Sequence, residues 1–228
     1  MSDAVRHALV TGSSSGIGLA VAQALLDGGW RVTGADRAQP VIEAENFTPV
    51  ACDLMDDAAA RTMAADVQGI TALVHAAGFL RVGALGTLDH DAGVEMWRLH
   101  VDAAIVLADA LAPRMSQGGR IVLIGSRAAQ GAANRSQYAA TKAALVGLAR
   151  SWAKELAPRG ITVNVIAPAA TETPMLHDAA RGNVPPVLPP IGRFVRPEEI
   201  AALALFLLSD HAAAITGQQI TVCGGASL

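Results

Sequence analysis

One tyrosine and one lysine stand four residues apart in Tyr138-Ala139-Ala140-Thr141-Lys142, and Tyr138 is the only tyrosine in the chain. On a helix, side chains at i and i+4 share a face, so the phenol and the ammonium can act on one point. A phenol ordinarily holds its proton to a pH of about 10, and a neighbouring cation favours the phenolate and lowers that value. A tyrosine tuned this way can take a proton from an alcohol, or give one to a carbonyl, near neutral pH. Taken alone, the spacing is better explained by a solvated helix face, because Y-x-x-x-K arises by chance in many helices. Chemistry requires a second site, and a fold that brings it to this pair.

A second site is legible near the N-terminus. Thr11-Gly12-Ser13-Ser14-Ser15-Gly16-Ile17-Gly18 follows directly on the apolar run Ala8-Leu9-Val10. The spacing is not G-x-G-x-x-G, but the physical logic is shared. Glycines allow a tight turn and let backbone N–H groups approach a pyrophosphate at a helix N-terminus. Asp36 ends the next apolar run, roughly 20 positions after the turn, where a carboxylate can accept from an adenosine ribose and repel a 2′-phosphate. No Lys or Arg lies inside the turn to hold such a phosphate, although Arg37 follows Asp36 and could weaken the exclusion. NAD is therefore expected over NADP. Asp53 stands where it could meet the adenine; alternatively Asp53 or Asp56 caps a helix.

The elements that must position these residues alternate. Strand-length runs are expected at Ala8–Val10, Arg31–Ala35, Phe47–Cys52, Ala72–His75, Arg120–Ile124, Ile161–Ile166 and Ile220–Val222. Helical stretches are expected at Gly18–Leu26, Asp91–Met115, Ser136–Ala157 and Pro197–Leu208. Alternation with continuously apolar strands predicts a parallel sheet covered on both faces. The 228 residues form one expected domain, 52% apolar and 16% charged, which argues against disorder. The net charge of −3, without a basic run, makes nucleic acid and anionic membranes poor partners. No signal peptide or membrane span is visible, and Cys52 and Cys223 make neither a disulfide framework nor a metal motif, so a cytoplasmic protein with reduced thiols and no metal is expected. The proline-rich stretch Asn183–Pro190 reads equally as a surface crossing and as a lid, part of a short segment at about 176–194.

Together these residues resemble the short-chain dehydrogenase/reductase family over essentially the whole chain. The resemblance is carried by the Thr11–Gly18 turn, Asp36, Asp53-Leu54, Ala76-Ala77-Gly78, Tyr138 with Lys142, Asn164-Val165-Ile166-Ala167-Pro168, Thr171-Glu172-Thr173-Pro174-Met175 and Ile215-Thr216-Gly217-Gln218. It implies a Rossmann-like doubly wound α/β sheet of about seven strands. It implies Tyr138 as general acid/base, Lys142 on the nicotinamide ribose, and Ser126 on the substrate oxygen. The cofactor would meet Gly12, Ser14, Ser15, Gly16, Ile17, Gly18, Asp36, Arg37, Asp53, Leu54, Ala76, Ala77, Gly78, Pro168, Ala169 and Thr171, with Thr173 on the carboxamide. Eleven residues separate Ser126 from Tyr138, one fewer than is usual, and the rival Ser136 reads as a helix cap.

Four positions depart from the family pattern. His75-Ala76 replaces its paired asparagines, Pro168-Ala169 its Pro-Gly turn, and Cys223 an aspartate. His100 takes the place of an asparagine whose backbone helps hold a proton-relay water; it reads as a packed residue that leaves the backbone kink intact, or as a histidine joining the relay. The segments on either side of Asp53 are short, so helices there should be brief. The stretch Ala76–Ala84 is similar to that of dihydroxybenzoate-type dihydrodiol dehydrogenases, which implies a cyclic secondary alcohol; a 3-oxoacyl or sugar-alcohol substrate stays open. The resemblance also implies a homotetramer or homodimer. The alternative is a catalytically weak NAD(H)-binding sensor or assembly protein of the same fold.

Overall fold

The computed structural model describes residues 6–179, 182 and 184–228. Seven parallel strands form one sheet in the order β3-β2-β1-β4-β5-β6-β7. They are β1 (His7–Thr11), β2 (Arg31–Asp36), β3 (Phe47–Ala51), β4 (Ala72–His75), β5 (Arg120–Ile124), β6 (Thr162–Pro168) and β7 (Gln219–Val222). The helices are α1 (Gly16–Asp27), α2 (Asp57–Asp66), α3 (His90–Trp97), α4 (Ala103–Leu111), α5 (Ser136–Leu156) and α6 (Pro197–Leu208).

Side chains alternate across each strand, and both faces are covered. Leu9, Leu73, Ile121, Leu123, Val163 and Val165 point into a core shared with α2, α4 and α5. Ala8, Val10, Val74, Val122, Ile124 and Ile166 point into the opposite core, with α1 and α6. This two-sided burial is why the strands read as unbroken apolar runs. It also accounts for α4: Ala103, Ala104, Val106, Leu107, Ala108 and Leu111 are all buried within the chain, and Ile105 is its exposed large apolar side chain.

Three expectations are corrected. Residues 37–46 hold no helix, so the β2–β3 connection is a bare ten-residue crossing, while α2 is brief as expected. The long helix expected at Asp91–Met115 is interrupted by a π turn over Arg98–Asp102 and closes in a 3₁₀ turn over Ala112–Arg114. Ser136 does not cap α5; Arg135 occupies the cap position without a side-chain hydrogen bond, and Ser136 is the first helical residue. The first helix begins at Gly16, inside the glycine turn. The expected strand and helix bounds otherwise agree with the structure to within two residues, and those of β4, β5 and α6 match it.

The two aspartates beside β3 separate cleanly. Asp56 caps α2, its carboxylate accepting from the Ala58 and Ala59 N–H groups at 3.0 and 3.1 Å. Asp53 accepts from Met55 N–H at 3.0 Å and does not cap the helix. Asp56→Ala is expected to lower stability by about 1 kcal/mol, read as a shift of the urea midpoint at constant m-value.

Candidate active site

The strands' carboxyl ends carry the candidate residues: Thr11 ends β1, Asp36 β2, His75 β4 and Pro168 β6, and Ser126 lies two residues beyond β5. The sheet order reverses between β1 and β4, and in open α/β sheets ligands bind in the crevice at such a point. A cavity of about 880 Å³ opens there. The glycine turn, Asp36, Arg37, Asp53 and Leu54 line one end; Ser126, Tyr138 and Lys142 line the other. Ala76, Ala77, Gly78, Pro168, Ala169, Thr171 and Thr173 also line it. Two candidates do not. Ser14 faces away but donates its backbone N–H to Asp36 at 2.9 Å. His100 is wholly buried behind the wall.

The glycine turn is shaped by close approach. Gly12 has φ +70°, and a Cβ on it would come within 3.0 Å of the Ala77 backbone. A Cβ on Gly18 would lie 2.2 Å from the Gly12 carbonyl oxygen, so α1 can pack under the turn only without a side chain there. The N-terminus of α1 has neither a side-chain cap at Ser15 nor an acidic residue in its first turn. Its first N–H groups and the positive end of its dipole are therefore left without a capping side chain or an acidic residue of the helix itself.

Thr11 locks β1 to β4. Its hydroxyl oxygen accepts from the Ala76 and Ala77 N–H groups, each at 3.0 Å. Its single proton is then left for His75 Nδ1, also at 3.0 Å. His75 is thereby fixed as the Nε2–H tautomer, and it donates to the Leu99 carbonyl in the π turn at 3.1 Å. His100, in the same turn, is fixed the other way. Its Nε2 accepts from Phe79 N–H at 3.1 Å, so Nδ1–H donates to Thr141 Oγ1 at 2.8 Å. Thr141 in turn donates to the Tyr138 carbonyl at 2.8 Å. The His100 ring meets the Tyr138 ring edge-on, with centroids 5.7 Å apart.

Lys142 is buried beside them, and its Nζ donates to the Ile124 carbonyl at 2.9 Å and lies 5.8 Å from the Tyr138 ring centroid. Burial lowers its pKa to about 7. Burial, then the Lys142 charge, lowers His75 to about 4 and places His100 well below the ordinary histidine range. Ser126 Oγ accepts from Ala128 N–H at 3.1 Å and opens the 3₁₀ turn Arg127–Gln130. Asp36 accepts from Ser14 N–H with one oxygen and from Ala38 N–H with the other, both at 2.9 Å.

Several wall residues carry no sequence motif. Arg127 and Arg135 stand beside Ser126 and Tyr138, and Gly225, Ala226 and Leu228 reach the cavity from the far edge of the sheet. The Gly224-Gly225 pair, at φ +55° and +86°, was the available signal for that tail: it folds against Pro189, Pro190 and Ile191. Of the expected lid, Leu176, Asp178, Pro186, Val187, Leu188 and Pro190 line the cavity, while positions 180, 181 and 183 lie outside the described residues.

Comparison with known proteins agrees with this geometry. A family model described as enoyl-(acyl carrier protein) reductase matches residues 12–227. The chain is 37% identical to 2,3-dihydro-2,3-dihydroxybenzoate dehydrogenase of Escherichia coli K12, covering 98% of this chain and 97% of that protein. The chain belongs to the short-chain dehydrogenase/reductase family. It is also 35% identical to D-threitol dehydrogenase of Mycolicibacterium smegmatis, over 96% of this chain and 91% of that one. A short-chain dehydrogenase from Burkholderia cenocepacia J2315, solved in complex with NADP, superposes with a TM-score of 0.86 at 33% identity, covering 98% of both chains.

A nicotinamide dinucleotide, the cofactor of this oxidoreductase family, fits the residues present. The turn is bare where a Cβ would intrude, α1 has an uncapped N-terminus, and the Asp36 carboxylate has lone pairs beyond the two it spends on backbone N–H groups.

The buried histidines make stability depend on pH. Between pH 6.5 and about 4 the unfolded chain protonates His75 while the folded chain does not. Unfolding then takes up a proton, so stability falls as the pH falls through this window. The loss from His75 is expected to reach about 3 kcal/mol by pH 4, and His100 adds to it in the same direction. Urea titrations at stepped pH should show this slope, and His75→Asn should flatten it.

Proposed function

We propose that the protein transfers a hydride between a nicotinamide cofactor, NAD in preference to NADP, and a secondary alcohol or its ketone, with Tyr138 as general acid/base. The observation that carries this reading is that Ser126, Tyr138 and Lys142 line the same cavity as the bare glycine turn and Asp36. A cyclic alcohol of the dihydrodiol kind is the favoured substrate, in keeping with the name of the Escherichia coli relative.

The bound nicotinamide supplies the hydride chemistry. Ser126 Oγ spends one lone pair on Ala128 N–H, and its O–H proton remains to donate to a substrate oxygen. In oxidation Tyr138, as phenolate, takes the hydroxyl proton of the alcohol; in reduction it returns that proton to the ketone oxygen. Lys142, anchored on the Ile124 carbonyl, supplies the positive field that favours the phenolate. His100 is a positioning residue in this reading. Both its ring nitrogens are engaged, by Phe79 and Thr141, so neither is left to pass a proton. Thr173, Leu176 and the described residues Pro186, Val187, Leu188 and Pro190 form the wall that would face substrate and cofactor. Exposed Val94, Trp97 and Ile105 on the outer helices suit a homodimer or homotetramer.

The preference for NAD rests on Asp36. Its carboxylate stands at the tip of β2, where a 2′-phosphate would have to approach a negative charge. Arg37, exposed beside it, is the group that would hold such a phosphate if the preference were reversed.

Tyr138→Phe is expected to reduce turnover by about 10²–10⁴-fold while cofactor affinity, followed by fluorescence titration, stays unchanged; normal turnover would remove Tyr138 from the mechanism. A cofactor complex that oxidises nothing across a broad alcohol panel would instead favour a sensor. Asp36→Ser is expected to raise kcat/KM for NADP relative to NAD by roughly tenfold, about 1.4 kcal/mol. An unchanged cofactor ratio would show that Asp36 does not set the preference.

A further inference from the structure

The substrate end of the cavity carries more positive charge than proton transfer needs. Arg127 directly follows Ser126 and lines the cavity with it, half-buried. Among the described residues its guanidinium makes no hydrogen bond or ion pair. Arg135, three residues before Tyr138, lines the same wall. The first turn of α5, between Arg135 and Tyr138, contains no acidic residue. Among the described residues one acidic side chain lines this end, Asp178, and it faces Arg81 at 3.6 Å; Arg81 in turn lies over the Phe79 ring.

The carboxylates at the cofactor end do not neutralise this wall. Asp36 ends β2, which lies three strands from β5 in the sheet, a separation of about 14 Å at ordinary strand spacing. Asp53 lies beyond β3, one strand further out. At physiological salt such distances exceed the screening length. A guanidinium presents a fork of donors that matches the paired oxygens of a carboxylate or phosphate, and it gains most where water is partly excluded. An arginine held beside the group that orients the reacting oxygen is therefore placed to recognise a second substituent of the same small molecule.

We propose that the alcohol substrate carries an anionic group, a carboxylate or a phosphate monoester, close to the reacting carbon, and that Arg127 recognises it. This rests on the oxidoreductase reading above and narrows its substrate class. Arg127 acts on binding and orientation, not on the proton. Its removal should therefore penalise charged substrates and leave their uncharged counterparts untouched.

The test compares 3-hydroxycyclohexane-1-carboxylate, its carboxamide and cyclohexane-1,3-diol monophosphate as substrates, following NADH absorbance. Benzoate and benzamide are titrated calorimetrically into the cofactor-loaded protein alongside. The native protein is expected to favour the acid or the phosphate over the amide by about 10- to 100-fold in kcat/KM, chiefly through KM, and to bind benzoate above benzamide. Which anion wins tells carboxylate from phosphate. Arg127→Gln is expected to erase the preference while amide turnover stays as in the native protein, and Arg127→Lys to restore part of it. Equal kcat/KM for all three substrates, with turnover present, overturns the inference and leaves the oxidoreductase reading standing. So does an Arg127→Gln variant that slows acid and amide alike, since that would make Arg127 a tuner of Tyr138. Absence of turnover on every compound counts against the oxidoreductase reading, and the benzoate-to-benzamide ratio in native protein and Arg127→Gln then decides the anion site by itself.

Discussion

The site is organised around one ammonium group taken out of water. Lys142 is buried with its Nζ donating to one carbonyl among the described residues, Ile124 O, and burial is what lowers its pKa. A cation in that position disfavours any other positive charge nearby. Burial first, and this charge second, keep the two histidines behind it neutral, and each is fixed in one tautomer by its neighbours. Their tautomers differ because their partners differ: a threonine hydroxyl with one proton to give for His75, a backbone N–H for His100. Neutral rings can then act as two-ended connectors. One ties β4 to the π turn and the other ties the loop after β4 to α5, which carries Tyr138 and Lys142. Exclusion of water and of further charge from this pocket thus becomes rigidity across three elements.

The same constraint explains the departure from a regular helix. An α-helix running through Arg98–Asp102 would satisfy its own carbonyls and leave His75 Nε2–H buried without an acceptor, at a cost of about 1–3 kcal/mol. The wider turn places the Leu99 carbonyl within reach of His75. Such π turns are rare and frequently stand at functional sites. Here the exception lies directly behind the tyrosine, and His100 fills the space with its ring edge toward the phenol.

What the sequence made legible follows from how local each determinant is. β4, β5 and α6 were bounded correctly because their ends are set by nearby residues: continuous apolar runs for the strands, and Pro197 with Glu198 and Glu199 in the first turn for α6. The glycine turn, Asp36 and the Tyr138–Lys142 pair were legible because their chemistry demands residue types at fixed short spacings. The π turn was not, since it depends on hydrogen bonds from His75 to Leu99 and from His100 to Thr141, 24 and 41 residues apart in sequence. The missing helix between β2 and β3 was hidden as well: its ten residues are enough to cross, and nothing local forbade a turn of helix. Ser136 is a good capping residue by type, yet Arg135 took the position because the chain enters α5 through a short bridge between Gly83 and Arg135. The arginines and the C-terminal tail were silent because a wall of a cavity is defined by what stands across from it.

Charge is divided along the cavity in a way that suits two ligands of different sign. At the β2 and β3 tips, carboxylates stand ready for hydroxyl groups and oppose phosphate, while the bare N-terminus of α1 between them and β4 accepts an anion. At the β5 tip the side chains are a hydroxyl, a phenol and cations. A dinucleotide lying across the switch point would bring its own phosphates only to the middle. The far end would then retain its positive field, undiminished by the cofactor, for whatever molecule meets Ser126 and Tyr138. Arg127 favours anion over neutral ligand and Lys142 favours phenolate over phenol, so substrate choice and proton transfer draw on different cations of one wall. Any substitution that alters one must be read against the other, through uncharged substrates for the first and pH profiles for the second.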